Sequence, residues 1–467
     1  MKKLSKALLL VTLLTGFCLP SWGQASTEGT EFWVSSTIVC SPDSKAAMPY
    51  IAVSAEKACT VTIKGGEGNA INITQNVRAG SWNEFGNSSK AYQTDPSKGT
   101  INVQMDASKW YPMGITSADN VYSEAGKKHN YGLHITATEK ISVYVILSSP
   151  HSMDASNILP ITALQSEYYT QDYKPDANGF SKIVGMTTIL ATEDGTKVDI
   201  VPSGDTYDGH ARGVQYTVDL NKGQTYYMIS KINEQLAGTH IMARDKRKIA
   251  VFNGTPLSRL PNGLSARDCL FEQSMPVDYW GTQFIVTRSL IKDGNIIGIT
   301  ATQPNTEIKV DGYTQVYINQ GETYYILLQG PNDPYTACLS KITSPIDQVI
   351  TANSAYIETS CPCAVFSYDT GNNFKGKDNT ETNGSGDPSS VWVSPIQQKI
   401  GRITFGTCYT NMTKDHYLNV VAETATCQST SLTAMHLSPI SPPDSDRRVD
   451  SPALCGRCSW PSRRTSG

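Results

Sequence analysis

Leu220-Asn221-Lys222-Gly223-Gln224-Thr225-Tyr226-Tyr227 returns further along the chain as Ile318-Asn319-Gln320-Gly321-Glu322-Thr323-Tyr324-Tyr325. The match extends upstream, where Lys182-Ile183-Val184-Gly185-Met186-Thr187 parallels Asn295-Ile296-Ile297-Gly298-Ile299-Thr300. It also extends downstream, where Lys248-Ile249-Ala250-Val251-Phe252 parallels Pro362-Cys363-Ala364-Val365-Phe366, and Glu139-Lys140-Ile141-Ser142-Val143-Tyr144 has the form of an earlier copy of that closing strand. Recurrence of several motifs in one order marks a repeated structural unit.

Within each copy the residues alternate, as in Tyr216-Thr217-Val218-Asp219-Leu220 and Thr314-Gln315-Val316-Tyr317-Ile318. A period of two in β-branched and aromatic residues, broken by Gly and Asn turns, predicts strands. A short helical turn near Cys269–Met275 is the one exception expected. Seven or so strands in a unit of about 110 residues fit an immunoglobulin-sized sandwich. The expected fold is therefore all-β, a tandem array of antiparallel β-sandwich-like modules, with a β-propeller of paired blades as the alternative. The units are read as residues 28–150, 155–256 and 268–370, followed by a polar linker at 371–388. A partial fourth unit is expected at 389–428, because Ser394-Pro395-Ile396 and Gly401-Arg402-Ile403-Thr404-Phe405 parallel Met275-Pro276-Val277 and Gly281-Thr282-Gln283-Phe284-Ile285.

From Ser429 the composition shifts. The last 39 residues hold five Arg and no Lys, against eight Arg and 26 Lys in the first 428, and none of the 23 Tyr. The tail 429–467 is read as disordered or out of frame, which predicts that resequencing restores a frame continuing the fourth unit. At the other end, Lys2-Lys3, an apolar run from Ala7 to Leu14 and Pro20–Ala25 form a secretory signal peptide over residues 1–25. Phe17 before Cys18 argues against a lipoprotein site, and no later stretch reaches the roughly 20 apolar residues of a membrane helix. The expected location is the cell surface or the medium, or the periplasm if a C-terminal export region has been lost.

An exported chain with an even set of cysteines predicts disulfides. The candidates are Cys40, Cys59, Cys269, Cys338, Cys361, Cys363, Cys408 and Cys427. Local spacing favours Cys40–Cys59 and Cys408–Cys427, and has Cys269 and Cys338 meeting the Cys361/Cys363 pair. Cys361-Pro-Cys363 and Cys455-x-x-Cys458 resemble zinc half-sites, but neither has a second half at the required spacing.

Composition and motifs narrow the function. Lys plus Arg at 39 against Asp plus Glu at 42 gives a net charge of -3. That balance disfavours a nucleic-acid surface. No Gly-x-Ser-x-Gly elbow, His-Glu-x-x-His pair or phosphate-cradling Gly-rich loop is present. No catalytic residue, metal ligand or cofactor is therefore assigned, and the ligand-binding residues are unknown from sequence. The oxygen-rich run Asp369–Glu381 departs from the order of a helix–loop–helix calcium site and reads as solvated linker. Glu272 and Gln273 are expected to cap or to bridge modules rather than to catalyse. Trp280 and Phe284 are expected to fill the core where one unit enters the next. Each of the pairs Tyr168-Tyr169, Tyr226-Tyr227 and Tyr324-Tyr325 is expected to place one ring inside and one on the surface.

The run Cys269-Leu270-Phe271-Glu272-Gln273-Ser274-Met275-Pro276-Val277-Asp278-Tyr279-Trp280-Gly281-Thr282-Gln283-Phe284-Ile285-Val286 resembles a signature of the IgGFc-binding protein N-terminal domain family. Gly29-Thr30-Glu31-Phe32-Trp33-Val34 is similar to the start of that family's bacterial, Bacteroidota-like exported members. The resemblance covers roughly residues 28–426 and implies an extracellular, non-enzymatic binding or adhesive role toward a protein or glycan. Mucin-, matrix- or Fc-like ligands belong to that class. No ligand residue transfers with it. A structural envelope component and, further off, a glycan-active hydrolase, which needs two carboxylates facing across a cleft, are the competing classes.

Overall fold

The computed structural model describes residues 26–39, 49–86, 101–112, 118–149, 152–173, 184–232, 234–261, 267–289, 294–330, 345–371 and 388–398, with short segments at 402–403 and 449–450. Among these residues the regular elements are strands and short 3-10 turns. The strands build sandwiches, as the alternation predicts, rather than propeller blades.

The first sandwich contains β1 (Glu28–Val34), β2 (Tyr50–Ala55), β3 (Cys59–Gly65), β4 (Ile71–Val77), β5 (Trp82–Gly86) and β6 (Ile101–Gln104). After β7 (Lys128–His129), which leaves it, come β8 (Leu133–Ser149) and β9 (Ser152–Ile158). The first half of β8 pairs with β1 and β3, and its second half with β2 and β9. One strand thus runs through both layers, and Phe32, Val53, Val61, Ile63, Ile135, Val143 and Val145 close the core between them.

The second sandwich repeats this plan with β10 (Glu167–Tyr169), β11 (Met186–Ala191), β12 (Thr196–Val201), β13 (Tyr216–Leu220), β14 (Thr225–Ile229), β15 (His240–Ala243), β16 (Ile249–Ser258) and β17 (Asp268–Gln273). Here the central strand is cut in two, because Asp245 and Lys246 turn the chain with φ of 58° and 53°. The third sandwich uses β18 (Gly281–Thr287), β19 (Gly294–Ala301), β20 (Thr306–Val310), β21 (Tyr313–Ile318), β22 (Thr323–Gln329), β23 (Gln348–Thr351), β24 (Ser354–Asp369) and β25 (Ser389–Trp392). Its central β24 pairs with β18 and β20, then with β19 and β25. Pro362 falls between the two paired stretches, where a missing N–H breaks no ladder.

Each sandwich closes one strand later than the sequence division suggests. β9, β17 and β25 fold back antiparallel on β8, β16 and β24. Such a return is set by pairing, which leaves no composition signal at residues 150, 256 or 370. The residues expected to form the rest of a fourth unit lie almost entirely outside the described residues.

β9 and β17 lie side by side without a main-chain ladder between them. Side-chain oxygens take its place. Asp268 accepts from the Met153 N–H at 2.9 Å, Asp154 from Phe271 N–H at 2.8 Å, Ser156 from Gln273 N–H at 2.9 Å and Gln273 from Leu159 N–H at 2.7 Å. Glu272 bonds Ser156 as well. The expected bridging role of Glu272 and Gln273 is thus the observed one.

The two faces of each inner sheet are both buried. Met186, Leu190, Tyr227, Ile229 and Phe252 share one core with the first sandwich. Ile296, Tyr325, Leu327, Phe366 and Tyr368 of the third pack on Tyr169, Tyr173, Leu270 and Trp280 of the segment before it. The expectation of one surface ring per tyrosine pair is therefore corrected: Tyr168, Tyr169, Tyr226, Tyr227, Tyr324 and Tyr325 are all buried. The face that would be solvated in an isolated sandwich is an inter-module interface here, and a buried ring of this size stabilises by on the order of 2 kcal/mol.

The glycine contacts and the buried carboxylates both have measurable consequences. Gly238 has φ of +84° and a Cβ there would stand 1.7 Å from the Gly321 carbonyl oxygen, whereas Gly195, at φ +65°, faces open space. Gly195→Ala should cost about 1 kcal/mol, and Gly238→Ala about 3 kcal/mol or more through backbone displacement, read by denaturant unfolding. Burial, opposed by main-chain N–H donors, pushes Asp154 up to about 8 and Asp172 up to about 7. Both folded values exceed the unfolded one, so their contribution is full in acid and is lost as pH rises through 7 and 8. Stabilising pairs of Glu124, Asp199 and Glu307, whose carboxyls are held low, fail only at the acid end. The melting temperature should be higher near pH 5.5 than at 8.5, and Asp154→Asn with Asp172→Asn should flatten that slope.

Candidate functional site

Several residues singled out in the sequence prove structural. Trp280 and Phe284 are fully buried, as expected, Trp280 donating its indole N–H to the Met275 carbonyl at 3.0 Å. Cys59, Cys269, Cys361 and Cys363 are free of disulfides to one another or to any other described residue. Cys269 lies in the core shared by the first two sandwiches and Cys363 in that of the third, so the expected meeting of Cys269 with the Cys361/Cys363 pair is not made. Desolvation pushes the Cys363 thiol up to about 12 and raises Cys269 well above the thiol range, which leaves both as unreactive core groups. Cys40, Cys338, Cys408 and Cys427 lie outside the described residues. Among the described residues no group of three or more His, Cys, Asp or Glu side chains is placed to hold a metal ion.

A corner that the sequence does not announce recurs at the entry of the first two sandwiches. Glu31 takes up the His134 ring nitrogen at 2.8 Å, and that ring stacks on Trp33 at 4.5 Å. At the matching positions Glu167 meets His240 at 2.9 Å, and His240 stacks on Tyr169 at 4.6 Å. The Glu-x-Trp and Glu-x-Tyr spacing is visible in the chain, but the histidines lie far along it and only strand register brings them in.

Each corner receives the hairpin of the next sandwich, which is the repeated motif of Asn, Gly and paired Tyr. Lys222 lies over the Trp33 ring at 5.5 Å, and Gly132 donates to the Gly223 carbonyl at 2.9 Å. One joint on, Gln320 donates to the Tyr169 hydroxyl at 2.6 Å, and Gly238 touches Gly321. Glycine is needed at these contacts because the two backbones meet directly.

The two joints then differ. At the first, β7 crosses from the segment before β8 and pairs antiparallel with β14, Thr225 opposite His129 and Tyr226 opposite Lys128. Tyr227 donates to the Lys127 carbonyl at 3.1 Å and accepts from Gly126 at 2.9 Å. At the second joint the equivalent segment, Glu234–Ala237, stays with its own sandwich, Leu236 donating to Asp172 at 3.0 Å. A cleft of about 380 Å³ opens instead, with Arg212, Gln235 and Ala237 on one wall. Tyr317, Glu322, Thr323, Tyr324 and Asp347 form the other. Its size sits at the small end of ligand pockets, roughly 300–1,000 Å³.

The rim is polar, aromatic and accessible. Tyr317 is 57% exposed and Tyr313, on the same edge strand, 75%. Glu307 accepts from both Thr314 and Tyr317, which holds its carboxyl below the usual range and fixes the Tyr317 ring. Exposed ion pairs elsewhere include Arg244–Asp199 and Lys231–Asp205. The Arg212 guanidinium and the carboxylates of Glu322 and Asp347 make no ion pair among the described residues.

Fold and joint define an all-β protein of interlocked sandwiches with a cleft at its second joint. The chain belongs to the IgGFc binding protein family, whose sequence pattern matches residues 154–446, well over half of its length and all of the second joint. Neither a curated protein nor a solved structure matches it. No helix among the described residues is long and apolar enough to cross a membrane.

Proposed function

We propose that this chain is an exported binding or adhesion protein that recognises an extracellular protein or glycan across the joint of its second and third sandwiches. The observation that carries this reading is the cleft rim, where Arg212, Glu322 and Asp347, in no ion pair among the described residues, line the cleft with exposed Tyr317, while exposed Tyr313 lies further along the same edge strand. Exposed aromatics beside an available guanidinium are the groups that anchor interfaces. The family's name points to immunoglobulin Fc as one ligand to test, beside mucin and matrix protein. Export through the leader at residues 1–25 and the pairs Cys40–Cys59 and Cys408–Cys427 belong to the same proposal, and peptide mapping of the unreduced protein checks those pairs.

The test is binding of the mature chain to immobilised mucin, fibronectin, immunoglobulin Fc and a glycan array. Saturable binding to one class is expected. Arg212→Ala with Tyr317→Ala should weaken it at least tenfold while leaving the melting temperature within about 2 °C, since both side chains are exposed. A folded sample that binds none of these ligands would overturn the reading in favour of a structural role.

A further inference from the structure

The two joints differ by one strand, and that difference specifies an occupant. Along β22 the ladder to β19 uses the main chain of Tyr324, opposite Ile299, so the N–H and C=O groups of Thr323 and Tyr325 point to the other edge. In the second sandwich the matching groups, on Thr225 and Tyr227, are met by β7 and the residues just before it. In the third, Tyr325 is satisfied by Asp347 alone. Its N–H donates to the Asp347 carboxylate at 2.8 Å and its carbonyl accepts the Asp347 N–H at 2.9 Å. Thr323, half-buried in the cleft wall, has no strand at its outer edge among the described residues.

We propose that the cleft takes one extended segment of a basic polypeptide, which adds to β22 as a short antiparallel strand hydrogen-bonded to Thr323. This rests on the binding role proposed above and names the class of partner. The template is internal. At the first joint His129 stands opposite Thr225, the match of Thr323, and Lys128 sets its ammonium on the Asp219 carbonyl at 2.9 Å. Lys127 and Gly126 bond Tyr227, whose match Tyr325 is held by Asp347, so the added strand engages the edge at Thr323 alone. The position matching Asp219 is Tyr317, at the cleft rim. Charge favours a basic side chain, because two carboxylates, Glu322 (accepting from the Asn319 N–H) and Asp347 (accepting from the Tyr325 N–H), line the cleft against the single Arg212. Strand addition takes its affinity from main-chain bonds and its selectivity from alternate side chains.

The probe is a labelled peptide with the sequence of residues 128–131, Lys-His-Asn-Tyr, which ends short of the edge that Asp347 and β23 occupy, titrated into the full chain and read by fluorescence anisotropy. Saturable binding is expected. It should fall at least fivefold when the peptide His is N-methylated on the main chain, and by a similar factor in Glu322→Lys. Gln224→Lys, the same change at the first joint, should leave it unchanged. Equal binding by the N-methylated peptide would overturn strand addition and leave only charge attraction. Weakening by Gln224→Lys rather than Glu322→Lys would also overturn it, since the peptide would then be displacing β7. Absence of binding by the folded chain would overturn it outright. The ligand screen above is independent: a peptide that binds here while Arg212→Ala with Tyr317→Ala leaves ligand capture intact would sink the functional reading and not this one.

Discussion

A central strand shared by two sheets is the constraint on which the rest of this structure depends. β8 and β24 each serve one layer with their first half and the other with their second, and β15 with β16 does the same around a tight turn. A strand that must bend between layers needs a place where the ladder lapses. The three sandwiches solve this differently, with the half-exposed Thr138–Lys140, the left-handed Asp245–Lys246 and the unpaired Ser360–Pro362. The strand entering beside the bend must bend with it. Gly29 and Gly281 lie where β1 and β18 shift register, and a Cβ on either would stand within 2.4 Å of a carbon of Pro160 or Pro395. The Trp-Gly of the signature run is thus a core ring next to the one residue type that fits against that proline.

Burial of both faces of the inner sheets is the second consequence. A sandwich standing alone would solvate one face of β11, β14 and β16 and show alternation there. These strands are instead buried along their whole length, as are β19 and all of β22 but Thr323, because the next layer of packing is the preceding module. Stability is therefore spread along the array, and the modules are not independent beads.

That same burial explains what could and could not be read from the sequence. The repeat, the strand content and the core roles of Trp280 and Phe284 were legible, because motif order and period-two alternation report on local structure directly. The tyrosine pairs misled, since alternation says that two rings face opposite ways but not whether a neighbour covers the outer one. The closing strands β9, β17 and β25 and the passage of β7 into the neighbouring sandwich depend on which edges pair. Pairing of distant edges leaves no trace in the chain. The Glu–His corners were hidden for the same reason, with Glu31 and His134 brought together only through the ladder of β1 and β8. The cleft was least legible of all, because it arises where a pairing made at one joint is omitted at the next.

The corners also show where the serial joint stops being repeated. Strand register places Ile285 where Trp33 and Tyr169 stand, Tyr356 where the histidines stand, and Ser354 where Gly132 and Gly238 stand. The hairpins dock because glycine lets two backbones touch, with a Cβ at Gly132 and Gly238 standing 2.6 and 1.7 Å from the opposing carbonyl oxygen. Ser354 carries that Cβ, and Ile285 has no ring to receive a Lys or Gln from a later turn. In their place the third sandwich has Tyr356 bonded to Gln283 and Glu358, a polar and aromatic arrangement on the outer face of the β18–β24–β20–β21 sheet. The glycine and ring that seat a hairpin at the first two joints are thus replaced on this face of the third sandwich. The two described joints thus share their glycine contacts and differ in what meets the outer edge of the inner strand, β7 on β14 at the first and Asp347 with β23 on β22 at the second.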